Sequence, residues 1–209
     1  MKKYLVEFIG AFFLVLTVGM TVIDPGSAGP LAPLAIGAAM MIMVYAGAHV
    51  SGGHYNPAIT VAVWLRGRCA AAEVAPYLGA QAAGAVVAAL TVMGLKGDPT
   101  IHPDDIQLIR AFIAELVGTF ALCYVVLNVT TAKSTAGNSY YGLAIGFTVM
   151  VMTFALGYLS NGAFNPAAAI GLAVLHKAAS ASLGMFIAAE FAAGILAALV
   201  FRFVNPEDN

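Results

Sequence analysis

An all-α membrane protein is the fold class this sequence predicts: six transmembrane helices plus two re-entrant half-helices in an inverted repeat. Three observations carry that reading. Hydrophobic residues make up 61% of the 209 positions and charged residues 9%, against roughly 45–50% and about 25% in soluble domains. Six apolar runs each approach or exceed the ~20 residues that a helix needs to cross a bilayer. The tripeptide Asn-Pro-Ala also occurs twice, at Asn56-Pro57-Ala58 and Asn165-Pro166-Ala167, each time leading a run too short to cross.

The first span covers 4–23, carries Glu7 near its start and stops at the turn-rich stretch from Asp24 to Pro30. Its length predicts a retained span rather than a cleaved signal. The second covers 33–50. After Ser51-Gly52-Gly53-His54-Tyr55 comes the first Asn-Pro-Ala box, and the apolar run behind it ends between Trp64 and Arg68. Asparagine is a favoured N-cap and proline suits the first helical turn, so each box reads as a loop that ends by starting a helix. The third span, 73–95, carries Gln81, and a polar loop from Lys96 to Asp105 follows. The second half repeats the order: 108–128 with Glu115, 139–159, the loop Ser160-Asn161-Gly162-Ala163-Phe164 before the second box, a short run to His176-Lys177, and 181–203 with Glu190.

The register between the halves is the strongest signal. Asn56 and Asn165 are 109 positions apart, as are Ala35-Ile36-Gly37 and Ala144-Ile145-Gly146, and Gln81 and Glu190. Glu7 and Glu115, each in a Glu-x-x-Gly turn, are 108 apart. This pattern predicts an internal duplication, with a first repeat over 1–98 and a second over 106–209 in a single channel domain. Three spans per half is an odd number, so the second half must enter the membrane from the opposite side. The two short runs then dip in from opposite faces and act together as a seventh, broken span.

Irregular backbone at membrane depth is tolerated where it lines a wet cavity. The carbonyls of Gly52, Gly53, His54, Tyr55, Asn161, Ala163 and Phe164 are therefore expected to line a pore. Two helix N-termini, each carrying about half a positive charge, would point at its centre. Such a pore would pass small neutral molecules and oppose cations.

On these residues the chain resembles the aquaporin (major intrinsic protein) family along its whole length. The resemblance implies a homotetramer with one pore per subunit, in which the amides of Asn56 and Asn165 donate to the permeating solute. It implies that Glu7 and Glu115 support the re-entrant loops. It also implies a narrowing at Ile36, Thr153, Gly162 and Ala168. The family's usual arginine directly after the second box is here Ala168, and the aromatic and histidine of water-selective members are replaced by Ile36 and Thr153. That set predicts a wider, uncharged, less polar filter. Glu190 is expected either to hold a loop or to line a polar pocket between helices.

Other classes are disfavoured. Nine Lys+Arg against ten Asp+Glu leave a net charge of −1, without the clustered basic face that a nucleic-acid partner wants. Cys69 and Cys123 suggest neither a disulfide framework nor a metal site. No nucleophile–base pair or His-x-x-x-His pattern appears, so no enzyme, cofactor or metal is expected. A coupled secondary transporter would want ionisable groups where the boxes offer amides; a non-conducting structural protein of the same fold would look alike in sequence. With the N-terminus inside, Lys2, Lys3, Arg66, Arg68, Lys133 and Arg202 face the cytoplasm, against Lys96, Arg110 and Lys177 outside, in line with the positive-inside rule. The expectation is a multi-pass protein of a prokaryotic inner membrane, a passive channel for small uncharged solutes (glycerol, urea or neutral metalloid acids) with water as a further permeant, and a water-conducting aquaporin as the alternative.

Overall fold

The computed structural model describes residues 1–97 and 106–208. Asp98, His102, Asp104 and Asp105 of the polar loop, and the last residue of the second repeat, lie outside the described residues. Eight α-helices are described: α1 (Lys2–Val22), α2 (Ala32–Ser51), α3 (Pro57–Leu65), α4 (Ala71–Lys96), α5 (Leu108–Thr131), α6 (Tyr141–Ser160), α7 (Pro166–Val174) and α8 (Leu183–Val204). Six are long and apolar enough to span a bilayer. The other two, α3 and α7, have nine residues each, about 14 Å at 1.5 Å per residue. Placed N-terminus to N-terminus, they cover about the ~30 Å of a hydrocarbon core.

Capping separates the two kinds of helix. No side chain caps the N-terminus of α1, α2, α4, α5, α6 or α8, where these ends reach the membrane surface and water can serve. The half-helices start at depth, and there the caps are built in. Asn56 Oδ1 accepts from the N–H groups of Ala58 (2.8 Å) and Ile59 (3.4 Å), and Asn165 Oδ1 from that of Ala167 (2.9 Å).

Polarity runs from inside to outside in the reverse of a water-soluble protein. Leu90, Ile109, Phe154 and Phe203 are more than half exposed, whereas Glu7, Gln81, Glu115 and Glu190 are fully buried. Within each half the first helix packs on the third (α1 on α4, α5 on α8), and α2 meets α6 across the halves. That central crossing is set by two glycines. A Cβ on Gly37 would stand 2.6 Å from the Gly146 carbonyl oxygen, and one on Gly146 would stand 2.5 Å from that of Gly37. Each half-helix then leans on the other half's third helix, α3 on α8 and α7 on α4. Gly194 lets α8 approach the Ala58 carbonyl to a distance that a Cβ would reduce to 2.7 Å.

Both termini lie at one end of the bundle. Lys3 pairs with Glu73 at the start of α4. The turn after α8 is tied down through Asp208, which accepts from the Lys133 N–H (2.9 Å) and lies 3.7 Å from the Arg66 guanidinium. At the far end Lys96 donates to the Met20, Ile23 and Pro25 carbonyls and so satisfies the end of α1.

Candidate functional site

The two loops ahead of the half-helices share one backbone conformation. Gly52, Gly53 and Tyr55 have φ of 92°, 66° and 51°; Asn161, Gly162 and Phe164, 109 positions on, have 73°, 65° and 46°. Left-handed backbone at a non-glycine residue costs about 1–3 kcal/mol and persists only where the surroundings over-determine it. Here a buried carboxylate does so. Glu7 Oε1 accepts from the Ser51 hydroxyl (2.7 Å) and the His54 N–H (3.0 Å), and Oε2 from the Tyr55 N–H (2.6 Å). Glu115 repeats the set with Ser160 (2.6 Å), Ala163 (3.0 Å) and Phe164 (2.6 Å). The aromatic rings are pinned as well: a Cβ on Gly10 would collide with the Tyr55 ring, and one on Gly118 with that of Phe164.

The third helix of each half completes the support in different ways. Gln81 Nε2 donates to Glu7 Oε2 (2.8 Å) and to the Thr60 hydroxyl (3.0 Å). Thr60 Oγ1 in turn donates to the Asn56 carbonyl and lies 3.1 Å from His54 Nδ1. In the second half Glu190 Oε1 accepts from the Asn165 backbone N–H at 2.8 Å.

At the centre the loops clasp each other. Asn56 Nδ2 donates to the Phe164 carbonyl (2.9 Å) and Asn165 Nδ2 to the Tyr55 carbonyl (3.0 Å). This alters the expectation of a free row of acceptors: two of its members, Tyr55 and Phe164, already hold an amide. The physical reason is the dry surroundings, where an unpaired carbonyl is costly. An amide nitrogen carries two hydrogens, so this clasp commits one N–H of each asparagine.

Three cavities follow one another past this clasp. On the termini side a vestibule of about 500 Å³ is lined by Gly52, His54, Arg68, Cys69, Tyr77 and Lys133, among others. On the far side one of about 280 Å³ is lined by Val18, Ile36, Thr153, Asn161, Gly162 and Lys177, among others. Between them a chamber of only about 20 Å³ touches Ile36, Gly162, Ala163, Phe164, Ala168 and both box asparagines. Ile36 and Gly162 border both the chamber and the far vestibule, with Thr153 on the outer side and Ala168 on the inner. Gly53 lines none of the three; its N–H donates to the Ser51 hydroxyl at 3.1 Å. Pro57, Ala58, Pro166 and Ala167 are buried in the first turns of α3 and α7.

The chamber also has walls that sequence reasoning missed: Leu14, Met40, Leu122 and Val149. They form two pairs at the repeat offsets, Leu14 with Leu122 (108) and Met40 with Val149 (109). The offset pairs them once the chamber is known, but it does not pick them out of an apolar span. Lys177, read in the sequence as a loop charge, lines the far vestibule. Among the described residues no group of three or more His, Cys, Asp or Glu side chains is arranged to hold a metal.

A broken span clasped at mid-depth, between vestibules opening at opposite ends, is a pore architecture, and comparison with known proteins agrees with it. The major intrinsic protein family model matches residues 1–201. The chain belongs to the major intrinsic protein family. Its relatives include the glycerol uptake facilitator protein-like 6 of Lactiplantibacillus plantarum, 36% identical over 100% of both chains. Aquaporin Z of Rhodopseudomonas palustris is 31% identical over 99% of this chain and 94% of its own. In fold, the chain superposes on the aquaglyceroporin of Plasmodium falciparum with a TM-score of 0.80 at 20% identity, covering 99% of this chain and 98% of the other. Both box asparagines border a chamber otherwise lined by apolar side chains and loop backbone. Ile36, Thr153, Gly162 and Ala168 are uncharged, while Lys177 lines the far vestibule beside Ile36, Thr153 and Gly162.

Proposed function

We propose that this chain is a passive channel for small uncharged solutes of the glycerol, urea or neutral metalloid acid kind, with water sharing the path. One observation carries the reading: the neck between the far vestibule and the paired boxes is bordered by Ile36, Thr153, Gly162 and Ala168, none of them charged. A solute crossing there passes the Lys177 charge in the far vestibule and meets none in the central chamber, where the amides of Asn56 and Asn165 orient it. The name of the Lactiplantibacillus plantarum relative supports a glycerol-type solute. No catalytic step is part of this reading.

A second reading, a water-conducting aquaporin, has its own support in the central chamber. About 20 Å³ barely exceeds the ~10–15 Å³ that one water occupies, and a larger solute would have to push Leu14, Met40, Leu122 or Val149 aside.

In either reading the repeats are 1–98 and 106–209, and the protein is a homotetramer in a prokaryotic inner membrane with both termini in the cytoplasm. Six Lys and Arg on the termini side against three beyond support that orientation, and the apolar outer faces of the spans supply the surface for lipid and neighbouring copies. Light scattering of proteoliposomes under osmotic shock tests the function. Fast reswelling in glycerol, urea or a neutral metalloid acid is the expected result. Fast shrinkage without reswelling in any of them would overturn the solute reading in favour of water.

A further inference from the structure

The buried carboxyl group of Glu190 is an ionisable side chain beside the second box whose role the channel reading leaves open. Glu190 is fully buried, as is Glu115, and the two carboxyl groups hold adjacent backbone N–H groups, Glu115 that of Phe164 and Glu190 that of Asn165. Glu115 already accepts from Ser160, Ala163 and Phe164, and Glu190 Oε1 from the Asn165 N–H. Glu190 Oε2 is buried without a donor, and the Thr119 hydroxyl, also buried and unpartnered, does not reach it.

Among the described residues, the groups that act on the pair include no cation. The helices α3 and α7 that pack against α8 hold no ionisable residue over Pro57–Leu65 or Pro166–Val174. From α5 the groups facing Glu190 are Glu115 and the buried Cys123 thiol. On α8 itself Arg202 lies in the last turn, at the termini-side end. Two ionised carboxylates sharing a dry site repel, and such pairs retain one proton between them.

The first half supplies the template for that proton. Its counterpart of Glu190 is Gln81, whose Nε2 donates to Glu7 Oε2 at 2.8 Å while its Oε1 is buried without a donor, so the donor arm is the part that carries over. An amide donates with one arm and accepts with the other; a carboxylic acid does the same, and a carboxylate only accepts. We propose that Glu115 and Glu190 hold one proton between them, and that Glu190, as the neutral acid, takes the place of Gln81 in the second half. Its O–H donates to Glu115 while its other oxygen holds the Asn165 N–H. Glu190 is thereby a positioning residue for the second box: it fixes the asparagine whose side-chain amide clasps the Tyr55 carbonyl.

The inference rests on the channel reading only through its flux readout. The test uses the full chain in liposomes at neutral pH, compared with Glu190→Gln and Glu190→Leu. In infrared difference spectra, Glu190→Gln is expected to lose one protonated-carboxyl C=O band that shifts in D2O, because the amide supplies the donor and Glu115 becomes a plain carboxylate. An unchanged carboxyl region, or loss of carboxylate bands alone, would overturn the shared proton. Flux through Glu190→Gln is expected to stay within about twofold of the wild type, whereas Glu190→Leu, which leaves the Asn165 N–H unpaired, should lose about tenfold or more. Loss of the band together with collapse of flux in Glu190→Gln would overturn the role of amide mimic. Should the wild type itself conduct no solute or water, the channel reading fails, and the infrared band still decides the proton.

Discussion

The two re-entrant halves have one backbone and two chemistries. Both use a serine, a buried glutamate from the half's first helix, left-handed backbone at three matched positions and an asparagine cap. Around that frame the first half adds a polar mesh. Gln81 bridges Glu7 and Thr60, Thr60 meets His54, and the Tyr77 hydroxyl donates to the Ser51 carbonyl at 2.6 Å. At the matching positions of the second half stand Glu190, Ala169, Ala163 and Phe186, and the mesh shrinks to one carboxyl pair and one backbone contact. The difference teaches which parts set the loop. Carboxylate, serine and glycine-like backbone are common to both, so they dictate the geometry; the mesh adjusts how firmly each loop is held.

The comparison is tested hardest by removing the common part. Glu7→Leu strips acceptors from four donors (Ser51 Oγ, the His54 and Tyr55 N–H groups and Gln81 Nε2), and Glu115→Leu from three (Ser160 Oγ and the Ala163 and Phe164 N–H groups). Each buried orphan costs about 1–3 kcal/mol, so both variants should lose several kcal/mol and most of their flux. With the Glu190 O–H proposed above counted as a fourth donor to Glu115, the two losses should be comparable. Thermal unfolding in detergent and size-exclusion profiles give the readout. Equal stability of either variant and the wild type would mean that the loops are held by the lipid-side packing and not by the carboxylates.

Most of the fold was legible because the signals were local or periodic. Long apolar runs marked the six spans, Asn-Pro marked the two helix starts, and the constant offset paired Gly37 with Gly146 before their contact was seen. The box residues were legible for the same reason, since a cap and a first-turn proline leave a sequence signature. The chamber walls Leu14, Met40, Leu122 and Val149 were not: an apolar residue facing a pore and one facing a neighbouring helix look alike along a nonpolar span. The engagement of the Tyr55 and Phe164 carbonyls by the opposite asparagines was hidden too. It depends on how two segments 109 residues apart meet, and no local pattern encodes that. Glu190 was legible as an oddity against Gln81, but its partners came only with the packing of α8 on α5.

A second comparison concerns the residue after each box. Ile59 follows the first and is almost fully buried in the core, while Ala168, 109 positions on, borders the central chamber. One substitution should therefore act in two ways. Ala168→Arg puts a guanidinium into a chamber of about 20 Å³ and should cut glycerol or urea flux about tenfold or more, with water flux falling less, in a protein that still folds. Ile59→Arg buries an unpaired charge among apolar side chains and should fail to yield monodisperse protein. Reswelling rates after osmotic shock decide the first and detergent chromatography the second. Solute flux undiminished in Ala168→Arg would remove Ala168 from the filter.

The smallest effect should come from the mesh itself. Thr60→Val keeps the shape of the side chain but removes the hydroxyl that accepts from Gln81 Nε2, donates to the Asn56 carbonyl and meets His54 Nδ1. Gln81 keeps its bond to Glu7, and the Asn56 carbonyl keeps the Thr60 N–H at 3.0 Å, so the losses fall on the His54 ring nitrogen and on the second amide hydrogen of Gln81. A loss of about 1 kcal/mol is expected, with flux nearly unchanged. Ala169→Ser adds a hydroxyl at the matching place in α7, where it can bond back to the carbonyl four residues earlier, as helical serines do at little net cost. Its unfolding temperature should stay close to that of the wild type. If Thr60→Val instead abolished flux, the mesh would belong to the frame that sets the loop, and the first half would differ from the second in kind.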